Sequence, residues 1–155
     1  MNINIRGELY DLSSSKVMGI LNLTPDSFYD GGKYNNVDDI SNQISKMLEG
    51  GLDILDIGGY SSRPGAKNIS SDEEKSRVIP VLKHIKKKFP QLVISIDTFR
   101  SEIAEACLTE GADIINDISS GILDKEMMKT ISKFNCPYIM MHMLGNPQNM
   151  QDSPK

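Results

Sequence analysis

The sequence holds little that could cross-link its fold or anchor it in a membrane. Only two of its 155 residues are cysteines, Cys107 and Cys136, and they form neither a CxxC pair nor a cluster with histidine. A disulfide-rich scaffold is therefore excluded, and a reducing cytoplasm is the expected compartment. No run of about 18 apolar residues occurs, and Arg6, Glu8 and Asp11 interrupt the first apolar stretch. We accordingly expect neither a membrane span nor a secretory signal.

Basic residues are not in excess either. Lysine and arginine number 17 against 21 aspartates and glutamates, so the net charge is -4 and no electrostatic footprint for nucleic acid is present. The HExxH, P-loop and GxGxxG motifs are also missing, so zinc hydrolysis, nucleoside triphosphate use and hydride transfer lack their usual markers. The expected partners are small molecules rather than nucleic acid or a membrane.

What the sequence does contain is a regular alternation of apolar runs and helical patterns. A content of 39% hydrophobic and 25% charged residues is that of one globular domain. The alternation is typical of consecutive βα units around a parallel sheet. Short runs rich in valine and isoleucine predict five strands buried on both faces, at 17–21, 53–57, 92–96, 113–116 and 137–141.

Helical spacing predicts one helix in each interval between these strands. The expected helices cover 37–48, 71–89, 100–110 and 124–134. Asn36, Ser71 and Asp124 are the expected N-terminal caps, and Ser71 begins a capping-box pattern with Glu74. Pro80 lies inside the second helix and predicts a kink or a second start there. Before the βα units, residues 3–10 predict a small hairpin that turns at 6–7.

Polar residues recur where the predicted strands end, and this is the edge at which parallel α/β folds place their ligands. Asparagine, aspartate, serine and glycine also favour turns and helix caps for local reasons. Recurrence on consecutive strands favours a ligand site over that local explanation. These polar groups lie in residues 22–32, which begin with Asn22, and in residues 56–65, which begin with Asp56. The others are Asp97 with Thr98, Asn116 with Asp117, and His142.

Individual residues suggest what such a site could bind. Arg63, in the long connection 58–71, could hold a phosphate or carboxylate with two hydrogen bonds, or could be an isolated surface residue. Asp97 and Asn116 together could read a heterocycle, because a carboxylate accepts two N–H bonds and an amide both donates and accepts. The connection 22–36, which contains Phe28, is also long enough to act as a flap. His142 lies in a methionine-rich run and is more typical of a core than of a catalytic residue.

These stretches resemble dihydropteroate synthase, a pterin-binding enzyme family of the folate pathway. The resemblance rests on MGILNLTPDSF at 18–28, DIGG at 56–59 and SSRPGA at 61–66. It continues through IDT at 96–98, INDI at 115–118 and MHM at 141–143, in the family's order from about residue 16 to residue 151.

The resemblance implies a TIM (β/α)8 barrel of which about the first five βα units are present. We therefore expect residues 1–155 to form a single, truncated pterin-binding domain, with a hairpin-like segment at 1–15 followed by βα units at 16–155. The family's later motifs are missing: the aspartate of an Asp-Pro-Gly segment, a pterin-contacting lysine, and an arginine and histidine near the C-terminus. A five-strand section would leave open sheet edges. We expect this chain alone to be inactive and to be poorly stable or to associate.

The implied reaction condenses 6-hydroxymethyl-7,8-dihydropterin diphosphate with 4-aminobenzoate to give 7,8-dihydropteroate and diphosphate. The resemblance implies that Asn22 binds Mg²⁺ together with the diphosphate. Ser62, where the family more often has threonine, would contact the diphosphate beside Arg63. Asp97 and Asn116 would hold the pterin ring, and Asp97, Asn22 and Arg63 would carry catalysis.

Other implied features concern the second substrate and the assembly. Phe28 and Pro64, in the loops 22–32 and 61–65, would enclose the aminobenzoate, whose position sulfonamides imitate in this family. A cytoplasmic homodimer is expected for the full-length form. Tyr60 departs from the family, which usually has an acidic residue at that position.

Two other functional classes stay open. One is the pterin-binding domain of corrinoid-dependent methyltransferases, which would not be expected to carry the TPDSF and SRPG stretches. The other is a non-catalytic half barrel that binds a pterin or pairs with another polypeptide.

Overall fold

A five-stranded parallel sheet organises the chain. The structure is a computed structural model that describes residues 1–23, 29–30, 33–34, 37–61 and 68–143. The sheet strands are β3 (Met18–Asn22), β6 (Ile54–Gly58), β7 (Val93–Asp97), β8 (Ile114–Asp117) and β9 (Tyr138–Met140), and they pair in that order. Every pairing among them is parallel. All five strands were predicted from the sequence to within two residues at each end.

One face of the sheet is covered by the four helices. These are α1 (Val37–Glu49), α2 (Ser71–Lys88), α3 (Ser101–Thr109) and α4 (Met127–Phe134). Alternate strand residues such as Leu55, Ile57 and Ile96 share a fully buried core with Ile44 and Leu82 of the helices. The intervening strand residues point to the opposite face, where the polar groups at the strand ends lie.

A hairpin closes the amino-terminal end of the sheet. It consists of β1 (Asn2–Ile5) and β2 (Glu8–Asp11), and its turn residues Arg6 and Gly7 have φ of 56° and 84°. Two positive φ values in a two-residue loop give the turn that matches the twist of a hairpin. Ile5 packs in one buried cluster with Ile54, Val93 and Ile114. The hairpin predicted from the sequence is confirmed, and the structure shows that it covers the end of the sheet opposite the polar edge.

Two further strands lie in the long connection after β3. β4 (Tyr29–Asp30) and β5 (Lys33–Tyr34) form an antiparallel pair. The sequence predicted only a loop over 22–36, because two-residue strands carry no periodicity that could be read.

The structure corrects two predicted N-terminal caps, although α2 begins at Ser71 as predicted. The cap of α2 is Ser70, whose hydroxyl accepts a hydrogen bond from the Glu73 amide at 3.1 Å, and not Ser71. The start of α4 is Met127 rather than the predicted cap Asp124.

The predicted second start at Pro80 is also wrong, because α2 is one continuous helix over Ser71–Lys88. The predicted cap Asn36 lies outside the described residues. Within the ranges given above, every helix is too short or too polar to cross a membrane.

Candidate functional site

Four polar or small residues stand in one row across the carboxyl end of the sheet. Asn22 is the register partner of Gly58, Gly58 of Asp97, and Asp97 of Asn116. Register partners in a parallel sheet point to the same face. Because their strand neighbours Leu21, Ile57, Ile96 and Ile115 are fully buried against the helices, this row lies on the helix-free face.

Gly58 leaves a gap in the middle of this row. A Cβ atom built at Gly58 would lie 3.4 Å from Asp97 Oδ2 and 3.5 Å from Asn22 Oδ1. Two side-chain oxygens therefore flank a position that carries no side chain of its own. The gap gives a planar ligand with N–H donors room to reach both oxygens.

Asp97 is the one carboxylate among the four residues of the row, and its pKa is strongly raised. Burial, together with the negative charges of Asp56, Glu74 and Asp117, raises the pKa of Asp97 to about 7. No hydrogen bond or ion pair to its carboxylate occurs among the described residues. A carboxylate in this state gains strongly from any ligand that brings N–H donors. Strongly perturbed groups of this kind cluster at functional sites.

Asn116 lies beside Asp97, and its orientation is set from a third strand. Its Nδ2 donates to Asp56 Oδ2 at 3.0 Å. The Asn116 side-chain oxygen Oδ1 and the second hydrogen of Nδ2 are thereby left as the groups that a ligand can use. Asp56 Oδ1 is buried without a hydrogen-bond partner in the part of the chain that the structure describes, and burial raises the pKa of Asp56 while the Asn116 amide opposes that rise.

Asp117 is not a member of the row, and its carboxylate stabilises the turn that follows β8. Its carboxylate accepts hydrogen bonds from the Ser119 amide and hydroxyl, from the Gly121 amide, and from the Tyr138 hydroxyl at 2.6 Å. Here the turn-forming explanation of a polar strand end is correct. His142 is exposed, with no hydrogen bond or ion pair in the described ranges, so the structure offers nothing that would make it catalytic.

Four residues that the sequence assigned to the site cannot be placed. Phe28, Ser62, Arg63 and Pro64 lie outside the described residues. Of the predicted site residues, the structure brings Asn22, Asp97 and Asn116 together in one row.

A buried ion pair behind the row escaped the sequence reading. Glu74 of α2, almost completely buried, accepts from the Thr98 hydroxyl at 2.8 Å and pairs with Arg100. Arg100 also stacks near Tyr60, the residue that departs from the resembled family, with the guanidinium carbon 5.4 Å from the ring centroid. The only signal in the sequence was that Thr98 and Arg100 lie one and three residues after Asp97, because the contact with Glu74 depends on the fold.

The row offers limited capacity for a metal ion. No group of three or more histidine, cysteine, aspartate or glutamate side chains that could hold a metal occurs among the described residues. Asn22 Oδ1 is a neutral oxygen of the kind that Mg²⁺ accepts, but Mg²⁺ takes six ligands and keeps several waters or phosphate oxygens. Any such ion would need most of its ligands from a bound substrate.

Comparison with known proteins shows which family the chain resembles. The family model described as "Pterin binding enzyme" matches residues 18–155. Dihydropteroate synthase of Staphylococcus haemolyticus is 47% identical over 131 residues, which are 84% of this chain and 48% of that protein. The mitochondrial folate synthesis bifunctional protein of Arabidopsis thaliana is 46% identical over 151 residues, which are 96% of this chain and 27% of that protein.

A solved structure extends the likeness to the fold. The Yersinia pestis dihydropteroate synthase, determined with a sulfonamide drug complex, superimposes with a TM-score of 0.85 at 41% identity and covers 100% of this chain and 55% of that one. The structural relatives are TIM-barrel enzymes, so the predicted fold class is confirmed. The present chain spans about half the length of this structure and of the Staphylococcus haemolyticus relative.

Proposed function

The chain belongs to the family of pterin-binding enzymes, and from this premise we propose that it functions in dihydropteroate synthesis. The proposed reaction joins 6-hydroxymethyl-7,8-dihydropterin diphosphate to 4-aminobenzoate and releases diphosphate. Names of the relatives support this reaction, since several of them are dihydropteroate synthases.

The observation that carries the proposal is the state of Asp97. Asp97 is half-buried, and its carboxylate has a pKa raised to about 7 and receives no hydrogen bond from the described residues. The adjacent Asn116 presents its side-chain oxygen Oδ1, because its Nδ2 donates to Asp56. A pterin ring supplies neighbouring N–H donors, which would satisfy both acceptors at once.

This arrangement suits the charge that develops in the reaction. Departure of diphosphate from the pterin methylene leaves positive charge on the ring system. An ionised Asp97 bonded to the ring stabilises that charge more in the transition state than in the ground state. The amine of aminobenzoate is a nucleophile without help from a strong base, so a separate catalytic base is not required.

Magnesium is a further part of the proposal. Asn22 Oδ1 would contribute one ligand, and the substrate diphosphate with water would complete the coordination. The ion, when bound, neutralises charge on the leaving diphosphate. Asn22 would then orient the diphosphate at the end of the row, across Gly58 from Asp97.

The residues outside the described ranges complete the proposed site. Ser62 and Arg63 would bind the diphosphate, and Phe28 and Pro64 would border the aminobenzoate. These roles are those that the resemblance of the TPDSF and SSRPGA stretches to the family implies.

We also propose a cellular compartment and an oligomeric state for the protein. We place the protein in the cytoplasm, supported by two free cysteines, of which Cys107 is buried. The full-length protein is proposed to be a homodimer. Subcellular fractionation and sedimentation of the full-length protein test these two points.

Replacement of one carboxylate tests the function. In the full-length protein, Asp97→Asn should lower dihydropteroate formation by at least about 100-fold, because a neutral amide cannot stabilise the developing charge. Asp38→Asn is the matched control, because Asp38 is exposed on α1 and far along the chain from the row. Near-normal turnover in Asp97→Asn would remove Asp97 from the mechanism. Pterin binding by the unaltered full-length protein without any product would instead identify a non-catalytic pterin-binding module.

A further inference from the structure

Two polar side chains lie directly below the row, on the same helix-free face of the sheet. Asp56 on β6 and Ser95 on β7 are register partners, and they lie two residues before Gly58 and Asp97 of the row. Residues two apart on a strand share a face. Both side chains are buried, with exposed fractions of 5% for Asp56 and 0% for Ser95. We call this pair the floor layer.

The floor layer lies between the row and an apolar cluster. Two residues earlier on the same strands are Ile54 and Val93, which pack with Ile5 of the hairpin. A carboxylate at the upper boundary of such a cluster is costly unless its hydrogen bonds compensate for the lost water. The hydrogen bonds of Asp56 therefore indicate why a carboxylate stands at this position.

The Asp56 carboxylate reaches across one strand to the row. Its Oδ2 accepts a hydrogen bond from Asn116 Nδ2 at 3.0 Å, although β7 lies between β6 and β8 in the sheet. Ser95, the floor residue of the intervening strand, carries only a short side chain at this point. Because Asp56 belongs to the layer below the row, the hydrogen bond directs Nδ2 of Asn116 toward the floor layer and Oδ1 away from Asp56.

We propose that Asp56 is a positioning residue for the pterin ring, because its carboxylate fixes which end of the Asn116 amide faces the ligand. An ionised carboxylate only accepts hydrogen bonds, so it attracts Nδ2 and repels Oδ1. The row then presents neighbouring acceptors, Asn116 Oδ1 and the Asp97 carboxylate, to a heterocycle whose edge carries N–H donors. This inference rests on the proposed function, since the pterin ring is the ligand that it assumes.

The charge of Asp56 also acts on the carboxylate of the row. Burial and the charges of Asp56, Glu74 and Asp117 raise the pKa of Asp97 to about 7. Glu74 is paired with Arg100. N–H donors of a ligand favour the ionised form of Asp97, so pterin affinity should rise as pH rises through this range. Removal of the Asp56 charge should move that rise to lower pH.

Two substitutions of Asp56 in the full-length protein separate its hydrogen bond from its charge. Asp56→Leu removes both, so the Asn116 amide can turn, and calorimetric titration should show affinity for 6-hydroxymethylpterin lowered about 10-fold. Asp56→Asn removes only the charge, because its amide oxygen can still accept from Asn116 Nδ2, and affinity should stay within about three-fold. Both variants should reach their highest affinity at lower pH than the unaltered protein.

Stability distinguishes this role from a purely structural one. A leucine at position 56 would extend the apolar cluster beneath it, so the melting temperature of Asp56→Leu should stay within about 3 °C of that of the unaltered protein. Asp56→Ala, which also lacks an acceptor, takes the place of Asp56→Leu if the larger side chain prevents folding.

Ser95→Ala is the matched control, because Ser95 is buried in the same layer and its hydroxyl has no hydrogen-bond partner among the described residues. It should change pterin affinity less than about two-fold. The positioning role would be overturned by equal losses in Asp56→Leu and Asp56→Asn, by an equal loss in Ser95→Ala, or by no loss in any variant. An unchanged pH profile in both Asp56 variants would also overturn it. If the unaltered full-length protein did not bind 6-hydroxymethylpterin, the proposed function itself would fail instead.

Discussion

The surroundings of Asp97 disfavour the ionised form of its carboxyl group. Burial and the carboxylates of Asp56, Glu74 and Asp117 raise its pKa from 3.8 to about 7. Between these two values, the folded protein holds a proton that the unfolded chain has lost. Ionisation of Asp97 therefore lowers the free energy of unfolding as pH rises from about 4 to about 7. Above pH 7 this loss of stability is complete.

Asp97→Asn should for this reason stabilise the protein without ligand at alkaline pH. We expect the free energy of unfolding at pH 8 to rise by roughly 1–3 kcal/mol, and the gain to disappear near pH 4. Urea unfolding at the two pH values measures this difference, with the exposed Asp38→Asn as the control. A variant that is less stable than the unaltered protein at pH 8 would show that Asp97 is stabilised by contacts that the described residues do not include.

Substitutions at the adjacent residues Gly58 and Gly59 should have different effects, one on ligand binding and the other on stability. At Gly58, an added methyl group would meet Asp97 Oδ2 and Asn22 Oδ1 at 3.4 and 3.5 Å, which is ordinary contact. At Gly59, it would meet Val78 Cγ2 at 2.6 Å, which the packed core cannot accept without moving.

We accordingly expect Gly58→Ala to keep the melting temperature within about 3 °C and to weaken pterin binding at least about 10-fold, by filling the gap in the row. Gly59→Ala should cost about 1–3 kcal/mol of stability. Thermal melts and pterin titrations of both variants measure the contrast. Normal pterin affinity in a folded Gly58→Ala protein would place the ligand elsewhere.

The residues that form the row could be predicted from the sequence, but the hydrogen bonds of their side chains could not. Asn22, Asp97 and Asn116 could be predicted because parallel strands bring their carboxyl ends to one edge. The direction of the Asn116 amide could not be predicted, because it depends on Asp56, 60 residues earlier in the chain. The same pattern placed Asp117 in the site, although its carboxylate is occupied by a turn and by Tyr138.

At the scale of elements, long-range contacts decide where helices begin. The Ser-x-x-Glu pattern fits both Ser70 with Glu73 and Ser71 with Glu74. Ser70 becomes the cap, and Glu74 is engaged with Thr98 and Arg100 on other elements. Periodicity along one helix cannot reveal such partners.

Asp124 shows the same limit for α4. Its carboxylate accepts from the Ser101 amide at 2.7 Å and from the Glu126 amide at 3.0 Å. It therefore satisfies the first amide of α3, whose own cap residue Arg100 supplies no side-chain hydrogen bond. The helix α4 starts only afterwards, at Met127.

Arg6 bonds the amino-terminal hairpin to residues at the start of the sheet strands, in addition to the apolar packing of Ile5. Arg6 donates to both oxygens of Asp113, at 2.6 and 2.8 Å, and to the carbonyls of Pro90 and Leu92. Asp113 is buried, and its remaining contacts are the Ile94 amide at 2.9 Å and Lys86 at 3.7 Å. Loss of Arg6 would leave that carboxylate largely uncompensated.

Arg6→Ala should therefore lower the free energy of unfolding by about 2–4 kcal/mol. Lys133→Ala is the comparison, because Lys133 pairs with Glu105 where both side chains are exposed, and such pairs contribute at most about 1 kcal/mol. Denaturant unfolding followed by far-ultraviolet circular dichroism measures both changes. Equal effects of the two variants would mean that the hairpin is held by the packing of Ile5 alone.

At the scale of the whole molecule, the sheet ends in two strands with only one neighbour each. β3 and β9 are the outer strands of the five-stranded order. Apolar side chains on them are exposed, with Ile20 at 61% and Met140 at 62%. A parallel sheet is normally covered on both faces and shielded at its edges, so these strands present surface that favours pairing with another polypeptide.

The 155-residue chain should accordingly associate at micromolar concentration, and a charge on the β9 edge should oppose this association. Met140→Lys places a lysine on the outer strand, the means by which natural sheets block edge pairing, and should shift the chain toward monomer in sedimentation velocity. Leu9→Lys is the matched control, because Leu9 is equally apolar and 77% exposed but lies on the hairpin. A monomeric unaltered chain at tens of micromolar would contradict the argument, since it would show that the exposed apolar residues of β3 and β9 do not drive contact. Equal association of the unaltered chain and both variants would instead locate the contact away from β9, whereas dissociation by both would indicate a general effect of added charge.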